Sequence, residues 1–406
     1  MPWYLRLAAV ILLLLTVSLA IQALNALPVH REALVAEKYG GWTGVLRLWV
    51  CEDILPGSDS LIPWLNHCAA TFERAHPGVY VQAEPVDAAI LRAIGAADVP
   101  LPDLILFPPG LLDSADDLLP LDPSALCVDL RAPLAESGKW RGELRAVPVA
   151  MSAYCWLYDR ARLPVLPDDW TQADARPSLR EDAPFSCWSA AALCLCSGQR
   201  AIVEETEIPE ALGLDLGLIE APASPTPPAP QTIVRQCRLP ADATRDAAAF
   251  QRFLTGEAAA VPGAPADLRT LERLEADGRS PDWAAAMPGE YALADQLALA
   301  AVVRTDRSDR EARAELAAGL IACLLSPASQ EELARARAFP TAAKLSIYKG
   351  GDAMARLERA LQDKRLLAPN AFANTWRADA AAALGHFCRG ACSAEEALRS
   401  LELSGF

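Results

Sequence analysis

The sequence predicts an α/β protein built as two lobes around mainly parallel, open sheets. The 406-residue chain is longer than the roughly 250 to 300 residues at which a single core stops growing. Strand and helix patterns also alternate from residue 45 onward, which is typical of parallel sheets covered by helices. Ligands of such sheets bind beyond the carboxyl ends of the strands.

The first half carries the clearest alternation. Apolar runs with strand composition lie between stretches whose apolar side chains have helical spacing. Strands are predicted at 45–51, 79–83 and 104–107, and helices at 60–74 and 88–97. The resulting βαβαβ order places strand ends near 51–53 and 107–110.

The second half predicts fewer strands. Residues 146–158 are strand-rich, and the proline-rich stretch 177–240 favours an extended surface loop. After it, mostly helices are predicted, at 247–255, 265–278, 293–301, 309–326, 329–338, 353–364, 376–389 and 393–403.

Composition excludes some functions. With 52% hydrophobic and 22% charged residues, the chain has enough apolar surface to fold as a globular protein. A formal charge of -15 repels phosphate backbones, so no nucleic-acid partner is expected.

The eleven cysteines are an odd number in scattered apolar contexts, which favours buried thiols over a disulfide framework. With four histidines, no metal or other cofactor is predicted.

The N-terminus predicts insertion into a membrane. Arg6 precedes residues 7–24, which are apolar apart from Thr16, Ser18 and Gln22. Cleavage after Ala20 as a signal peptide and retention as a membrane anchor both fit this segment. Residues 1–27 are therefore predicted to be a signal peptide or anchor and residues 28–42 a tether, with the body extracytoplasmic.

Motifs of catalysis are missing from the sequence. It has no nucleophile elbow, no histidine motif of the zinc-peptidase kind, no P-loop and no dinucleotide fingerprint. The chain is therefore predicted not to be an enzyme.

A series of short motifs resembles one known family. These are the segments 72–79 (FERAHPGV), 102–105 (PDLI), 119–122 (LPLD), 146–159, 253–260 (FLTGEAAA), 320–330 with 338–340, and 393–398 (SAEEAL). In this order they resemble extracellular solute-binding proteins of family 1, the maltose-binding-protein-like receptors of carbohydrate ABC transporters.

This resemblance implies a two-lobed periplasmic-binding-protein-like fold of type II with a cleft between the lobes. Lobe 1 would hold residues 43–107 and 284–333, and lobe 2 residues 108–283 and 334–406. The implied function is solute binding for an ABC import system, with a carbohydrate or oligosaccharide as ligand and the permease subunits as partners. A membrane-anchored sensor or receptor with an altered pocket, not coupled to transport, is the alternative.

Two departures from the family pattern bear on this function. The first cysteine is Cys51, inside the first predicted strand, so no lipobox cysteine precedes the body. Residues 261–265 (VPGAP) also lack the aromatic that sugar-binding relatives often place there. The resemblance thus implies a cleft with one stacking surface fewer.

Candidate ligand-binding residues follow from the chemistry of sugars, whose apolar faces stack on aromatic rings and whose hydroxyls pair with carboxylates. Glu52 and Asp53 follow the first strand, where the alternative is a solvated loop acid. For Phe185, Trp188 and Trp376 the alternative is core packing, whereas Phe107 could line the cleft or brace the hinge. These aromatics are Phe107, Tyr154, Trp156, Phe185, Trp188, Trp283, Tyr291 and Trp376.

Trp376 gives the clearest test of this assignment. We expect Trp376→Ala to lower ligand affinity about fivefold or more with little change in Tm, because a stacking platform contributes on the order of 1 kcal/mol. A buried core tryptophan would instead lose ~3 to 5 kcal/mol of folding stability on the same truncation. Ligand titration and thermal melting separate the two; a much lower Tm with normal affinity would place Trp376 in the core.

Overall fold

The computed structural model describes residues 41–94, 101–126, 128–167, 249–372, 382–383, 386–387 and 391–403. The predicted N-terminal segment 1–27, the proline-rich stretch 177–240 and most of the predicted helix 376–389 lie outside these residues. None of the helices in the described part is long and apolar enough to cross a membrane.

A five-stranded sheet contains four strands from the first half of the chain and one from the second half. Its strands, in spatial order, are β2 (Val79–Val86), β1 (Gly44–Cys51), β3 (Leu104–Phe107), β11 (Leu297–Val302) and β6 (Val147–Met151). β1 is parallel to β2 and β3, whereas β11 is antiparallel to β3 and β6. The carboxyl ends of β1, β2, β3 and β6 therefore meet at one edge, together with the amino end of β11.

Helices cover this sheet and continue through the second half. The described helices are α1 (Ile62–Ala75), α2 (Ala88–Arg92), α3 (Pro123–Leu126), α4 (Ala132–Ser137), α5 (Ala249–Leu254), α6 (Pro265–Ala276), α7 (Arg310–Leu325), α8 (Pro327–Glu331), α9 (Ala353–Gln362) and α10 (Ala394–Leu403), with a 3₁₀ turn at Glu332–Ala336. Trp64, Leu65, Cys68 and Phe72 are the buried stripe of α1, which packs against β2 and α7.

A second, three-stranded sheet lies apart from the first. It is antiparallel, in the order β8 (Ala260–Gly263), β7 (Cys155–Asp159) and β9 (Trp283–Ala286). The helix α6 follows β8 directly, and α9 packs against both β9 and α6. Two small ribbons complete the strands described: β4 (Lys139–Trp140) with β5 (Glu143–Leu144), and β10 (Tyr291–Leu293) with β12 (Arg365–Leu367).

The chain passes between the two sheets in three segments, residues 151–155, 293–297 and 336–342, here called the crossing region. Met151 and Phe339 exchange two backbone hydrogen bonds of 3.1 and 2.7 Å, and the Ser152 N–H donates to the Gln296 carbonyl at 3.0 Å. Backbone groups in a buried place need such partners. The three segments are thus bonded to one another where they cross.

Gln330 joins the same region through its side-chain amide. It is completely buried. Its Nε2 donates to the Val149 carbonyl at 2.7 Å and the Leu324 carbonyl at 2.9 Å, while Oε1 accepts from the Thr341 N–H at 3.1 Å. One side chain therefore links β6, α7 and the third crossing segment.

The opposite edge of the five-stranded sheet is held by charge pairs. Asp103, 3% exposed, accepts from the Arg47 N–H at 2.8 Å and pairs with Arg307 and Arg313 at 3.2 and 3.1 Å. Trp42 donates to Asp309 at 2.8 Å, and the Arg313 guanidinium lies 4.5 Å from the centre of the Trp42 ring. The chain thus enters its folded body at the edge remote from the crossing region.

Three sequence predictions need correction. The helix predicted at 293–301 is wrong, because residues 297–302 form β11 between β3 and β6 and are buried on both faces. The predicted boundary after residue 107 is also too early, since β6 at 147–151 still belongs to the five-stranded sheet. Likewise, the chain rejoins that sheet at 297 and not at 284, because β9 lies in the three-stranded sheet.

The Gln330 network predicts a large mutational effect. We expect Gln330→Leu to lower the free energy of unfolding by about 2 to 4 kcal/mol, because three buried backbone groups lose the hydrogen bonds that this side chain makes. The control is Gln362→Leu, which removes one exposed hydrogen bond to the Leu345 carbonyl and should change stability by less than about 0.5 kcal/mol. Urea titration measures both; equal effects would contradict the structural role of Gln330.

Candidate functional site

The candidate site lies where the carboxyl end of β1 faces the crossing region and the helix α6, a place called the groove below. On the side of the five-stranded sheet, residues 52–61 form the β1–α1 loop. A cavity of about 480 Å³ opens here, lined by residues 50–62 apart from Gly57, together with Pro85. It lies where an open sheet binds ligands, at the carboxyl end of β1.

Glu52 and Asp53 stand at this cavity and are both exposed. The Glu52 N–H donates to the Val86 carbonyl at 2.9 Å, which fixes the start of the loop against β2. Asp53 has a left-handed backbone with φ of 53°, a conformation that aspartate tolerates better than most residues. The loop therefore presents two carboxylates to solvent at the strand end, available to accept hydrogen bonds.

The neighbouring thiol is inert at neutral pH. Cys51 is buried, and this burial raises the pKa of its thiol to about 11. The nearby carboxylates of Asp87, Asp53 and Glu52 act in the same direction, opposed by Arg92. Because the thiolate is the reactive form, Cys51 is placed as a packing residue of the strand.

The β1–α1 loop reaches across the groove to the other sheet. The Ala266 N–H, at the start of α6, donates to the Gly57 carbonyl at 3.0 Å. Arg269 of α6 pairs with Asp59 at 2.5 Å. The loop therefore contacts both sides of the groove.

The same loop is also bonded to the crossing region. The Gly57 N–H donates to Gln296 Oε1 at 2.9 Å, and the Asp59 N–H donates to the Ala336 carbonyl at 2.8 Å. Ser58 Oγ donates to the Arg337 carbonyl at 3.2 Å. Arg337 in turn pairs with Glu272 of α6. The floor of the groove, the loop and α6 thus form one connected set of polar contacts.

Gly57 lies close to three side chains of this floor. A methyl group in place of its hydrogen would stand 2.4 Å from Gln296 Oε1, 2.9 Å from Ser152 Oγ and 3.1 Å from the Ala264 Cβ. Only glycine fits in this place without a shift of its neighbours. Ser152 and Gln296 are 0% and 6% exposed, and among the described residues Ser152 Oγ and Gln296 Nε2 have no hydrogen-bond partner.

Tyr154 lies in the crossing region, Trp156 directly follows that segment and Phe107 ends β3, and all three are buried. Phe107 is completely buried and contacts Phe372 at a ring distance of 5.9 Å, and Phe372 contacts Trp140 at 5.8 Å. This favours the alternative in which Phe107 braces the hinge. Tyr154 and Trp156 are 6% and 0% exposed. In this conformation none of the three offers a ring face to the groove.

The remaining aromatic candidates lie elsewhere. Trp283 pairs with Asp159 at the end of the three-stranded sheet remote from the crossing region. Tyr291 is buried in β10, with the Arg365 guanidinium 5.3 Å from its ring centre. Phe185, Trp188 and Trp376 fall outside the described residues. The structure therefore brings Glu52 and Asp53 to the groove, whereas Trp283 lies away from it.

Sequence reasoning missed the polar residues that line the floor. Ser152 lies inside the motif 146–159 but is not among its predicted candidates, and Gln296, Arg269 and Asp59 stand in none of the motifs. Asp59 follows a turn in which the Ser58 N–H donates to the Leu55 carbonyl at 2.9 Å. A polar residue inside an apolar run, such as Ser152 after 146–151, was the one available signal.

Comparison with solved structures identifies the fold. The GacH receptor of Streptomyces glaucescens, solved unliganded and with acarbose, matches with a TM-score of 0.55 and 16% identity over 89% of this chain and 97% of that one. The cyclic alpha-maltosyl-1,6-maltose binding protein of Arthrobacter globiformis matches at 0.56, with 15% identity over 90% and 98%. The sugar-binding protein MalE of Xanthomonas citri matches at 0.53, with 15% identity over 89% and 96%.

The chain has the fold of these periplasmic-type binding proteins. At such low identity the similarity concerns the fold alone. No family model and no curated protein sequence matches the chain.

The left-handed backbone of Asp53 gives a prediction for this loop. We expect Asp53→Asn to change the free energy of unfolding by less than about 0.5 kcal/mol, because asparagine accepts this conformation. Asp53→Val should cost about 1 to 2 kcal/mol, because a β-branched residue is strained there. The matched control is Glu52→Val, exposed like Asp53 but without a left-handed backbone. Chemical denaturation would contradict this explanation if the two valine variants proved equally stable.

Proposed function

We propose that the chain is an extracytoplasmic solute-binding protein that binds a carbohydrate or oligosaccharide in this groove, and that it serves an ABC import system. The observation that carries the proposal is the fold match, which spans 89 to 90% of this chain with receptors whose described ligands include acarbose and maltosyl sugars. A match over nearly the whole of both chains fits a shared two-lobed design, in which a ligand is enclosed as the lobes close.

The chemistry of the groove agrees with a polar, uncharged ligand. Glu52 and Asp53 offer exposed carboxylates at its rim, and Ser152 and Gln296 offer polar atoms at its floor. Sugar hydroxyls donate to carboxylates and can both donate to and accept from a serine or an amide. The groove could therefore recognise a ligand by its hydroxyl pattern.

We infer that the protein binds its ligand without transforming it. The structures to which it is similar are binding proteins. In the groove, the Cys51 thiol is protonated at neutral pH because its pKa is raised to about 11. A nucleophile needs an adjacent base or a lowered pKa.

The attachment of the chain suits an anchored receptor. Trp42 fixes the start of the body at the edge of the five-stranded sheet opposite the crossing region. A tether that ends before Trp42 and an N-terminal signal peptide or membrane anchor, both proposed from the sequence, would therefore leave the groove directed away from the point of attachment.

A membrane-anchored sensor or receptor is the second candidate. The observation in its favour is that the β1–α1 loop lies in the groove and contacts α6, beside Ala264 in the segment 261–265 that lacks an aromatic. A groove that contains a loop of the protein itself leaves less room for a long oligosaccharide than an open groove does. Two permease genes beside this gene would favour transport, whereas a histidine kinase gene would favour sensing.

A thermal-shift screen tests the proposal. We expect a mono- or oligosaccharide to raise Tm, because a ligand of the folded state stabilises it by RT ln(1 + [L]/Kd), about 2.7 kcal/mol at a hundred times Kd. Amino acids and polyamines, tested at equal concentration, are the controls. A shift with one of these and with no sugar would contradict the sugar assignment while leaving the fold intact.

A further inference from the structure

We propose that the β1–α1 loop is an intramolecular latch, which occupies the groove and must leave before a ligand can reach the floor beneath Gly57. This inference rests on the proposed function only in its final step, the identity of the ligand. The latch itself follows from the contacts of residues 57–59.

The loop is placed as a ligand would be. Residues 57–59 bond to the crossing region through Gln296, Ala336 and Arg337, and to α6 through Ala266 and Arg269. A molecule clamped between two lobes makes these same kinds of contact with both lobes and with the hinge. In this chain, part of the protein makes them, so residues 57–59 hold the two sides of the groove together.

The fit depends on small residues on both sides of the groove. Gly57 stands against Ala264, and the Ala266 backbone meets the Gly57 carbonyl. An aromatic side chain at 264 would overlap the loop, because a Cβ at Gly57 is already 3.1 Å from that of Ala264. The lack of an aromatic in 261–265 and the entry of the loop are therefore two aspects of one arrangement.

Two buried polar atoms also lack hydrogen bonds while the loop lies in the groove. Ser152 Oγ and Gln296 Nε2 are buried beneath the loop without a hydrogen-bond partner among the described residues. Burying such atoms unpaired is unfavourable, whereas a ligand hydroxyl could bond to them. The geometry thus points to a covered hydroxyl-binding subsite at Ser152 and Gln296 that a ligand gains when it displaces the loop.

The experiment measures opening in the full chain, held in detergent micelles, before any ligand is added. Dyes are attached through unnatural amino acids at Ile90 of α2 and Glu275 of α6, which are exposed on opposite sides of the groove. Energy transfer between the dyes falls as the two sides separate. Near-ultraviolet circular dichroism confirms that each variant is folded.

Three variants weaken the latch. Asp59→Ala and Arg269→Ala each remove the ion pair across the groove, and Gly57→Ala forces the loop from Gln296. We expect a lower transfer efficiency in each, with the open population raised about two- to fivefold by loss of the ion pair. The control Asp282→Ala removes the exposed pair with Arg160 on the second side alone and should leave the efficiency unchanged.

Unchanged transfer in folded Asp59→Ala and Arg269→Ala would overturn the latch, even if Gly57→Ala failed to fold. A maltose titration then tests the ligand separately. Because apparent affinity scales with the competent population, the latch variants should bind maltose about two- to fivefold more tightly. If transfer falls but no variant binds maltose, the latch is supported and maltose is excluded as the ligand.

Discussion

The architecture depends on one constraint: three chain segments cross between the sheets at the same buried place, and every polar backbone group there needs a partner. Met151, Ser152 and Phe339 bond across segments, and the Gln330 amide supplies three further hydrogen bonds. Orphaned groups in such a place would each cost about 1 to 3 kcal/mol. Because the crossing segments are bonded together, they can act as a common floor about which the two sides of the groove are arranged.

That floor also determines where the β1–α1 loop can lie. The carbonyls of Ala336 and Arg337 accept from residues 58 and 59, and Arg337 has a left-handed backbone with φ of 51°. The third crossing segment therefore turns its carbonyls toward the groove while its side chain reaches Glu272. The charge pairs of Asp103 stand at the far edge of the five-stranded sheet. The proposed attachment and recognition sites thus lie at opposite edges of one sheet.

Local sequence pattern predicted the first βαβαβ unit well and the second half poorly, for physical reasons. The structure has β1, β3 and α1 where strands at 45–51 and 104–107 and a helix at 60–74 are predicted. These predictions succeed because the spacing of apolar residues in each segment reflects which of its faces are buried. Residues 293–301 are rich in alanine and leucine, which favour helix. The position of β11 between two other strands overrides that preference, and periodicity alone cannot separate a short buried strand from a helix.

The residues of the candidate site were also predicted only in part from the sequence. Position at a strand end put Glu52 and Asp53 at the groove, whereas aromatic identity did not distinguish a ligand platform from core. Phe107, Tyr154 and Trp156 are all buried, and this burial makes them part of the packing. What the described residues offer a ligand is therefore mainly polar: carboxylates at the rim and an amide and a hydroxyl at the floor. Recognition by such groups rests on hydrogen-bond geometry more than on buried area, because an unmatched buried partner is costly. A groove of this kind would discriminate among ligands by the placement of their hydroxyls.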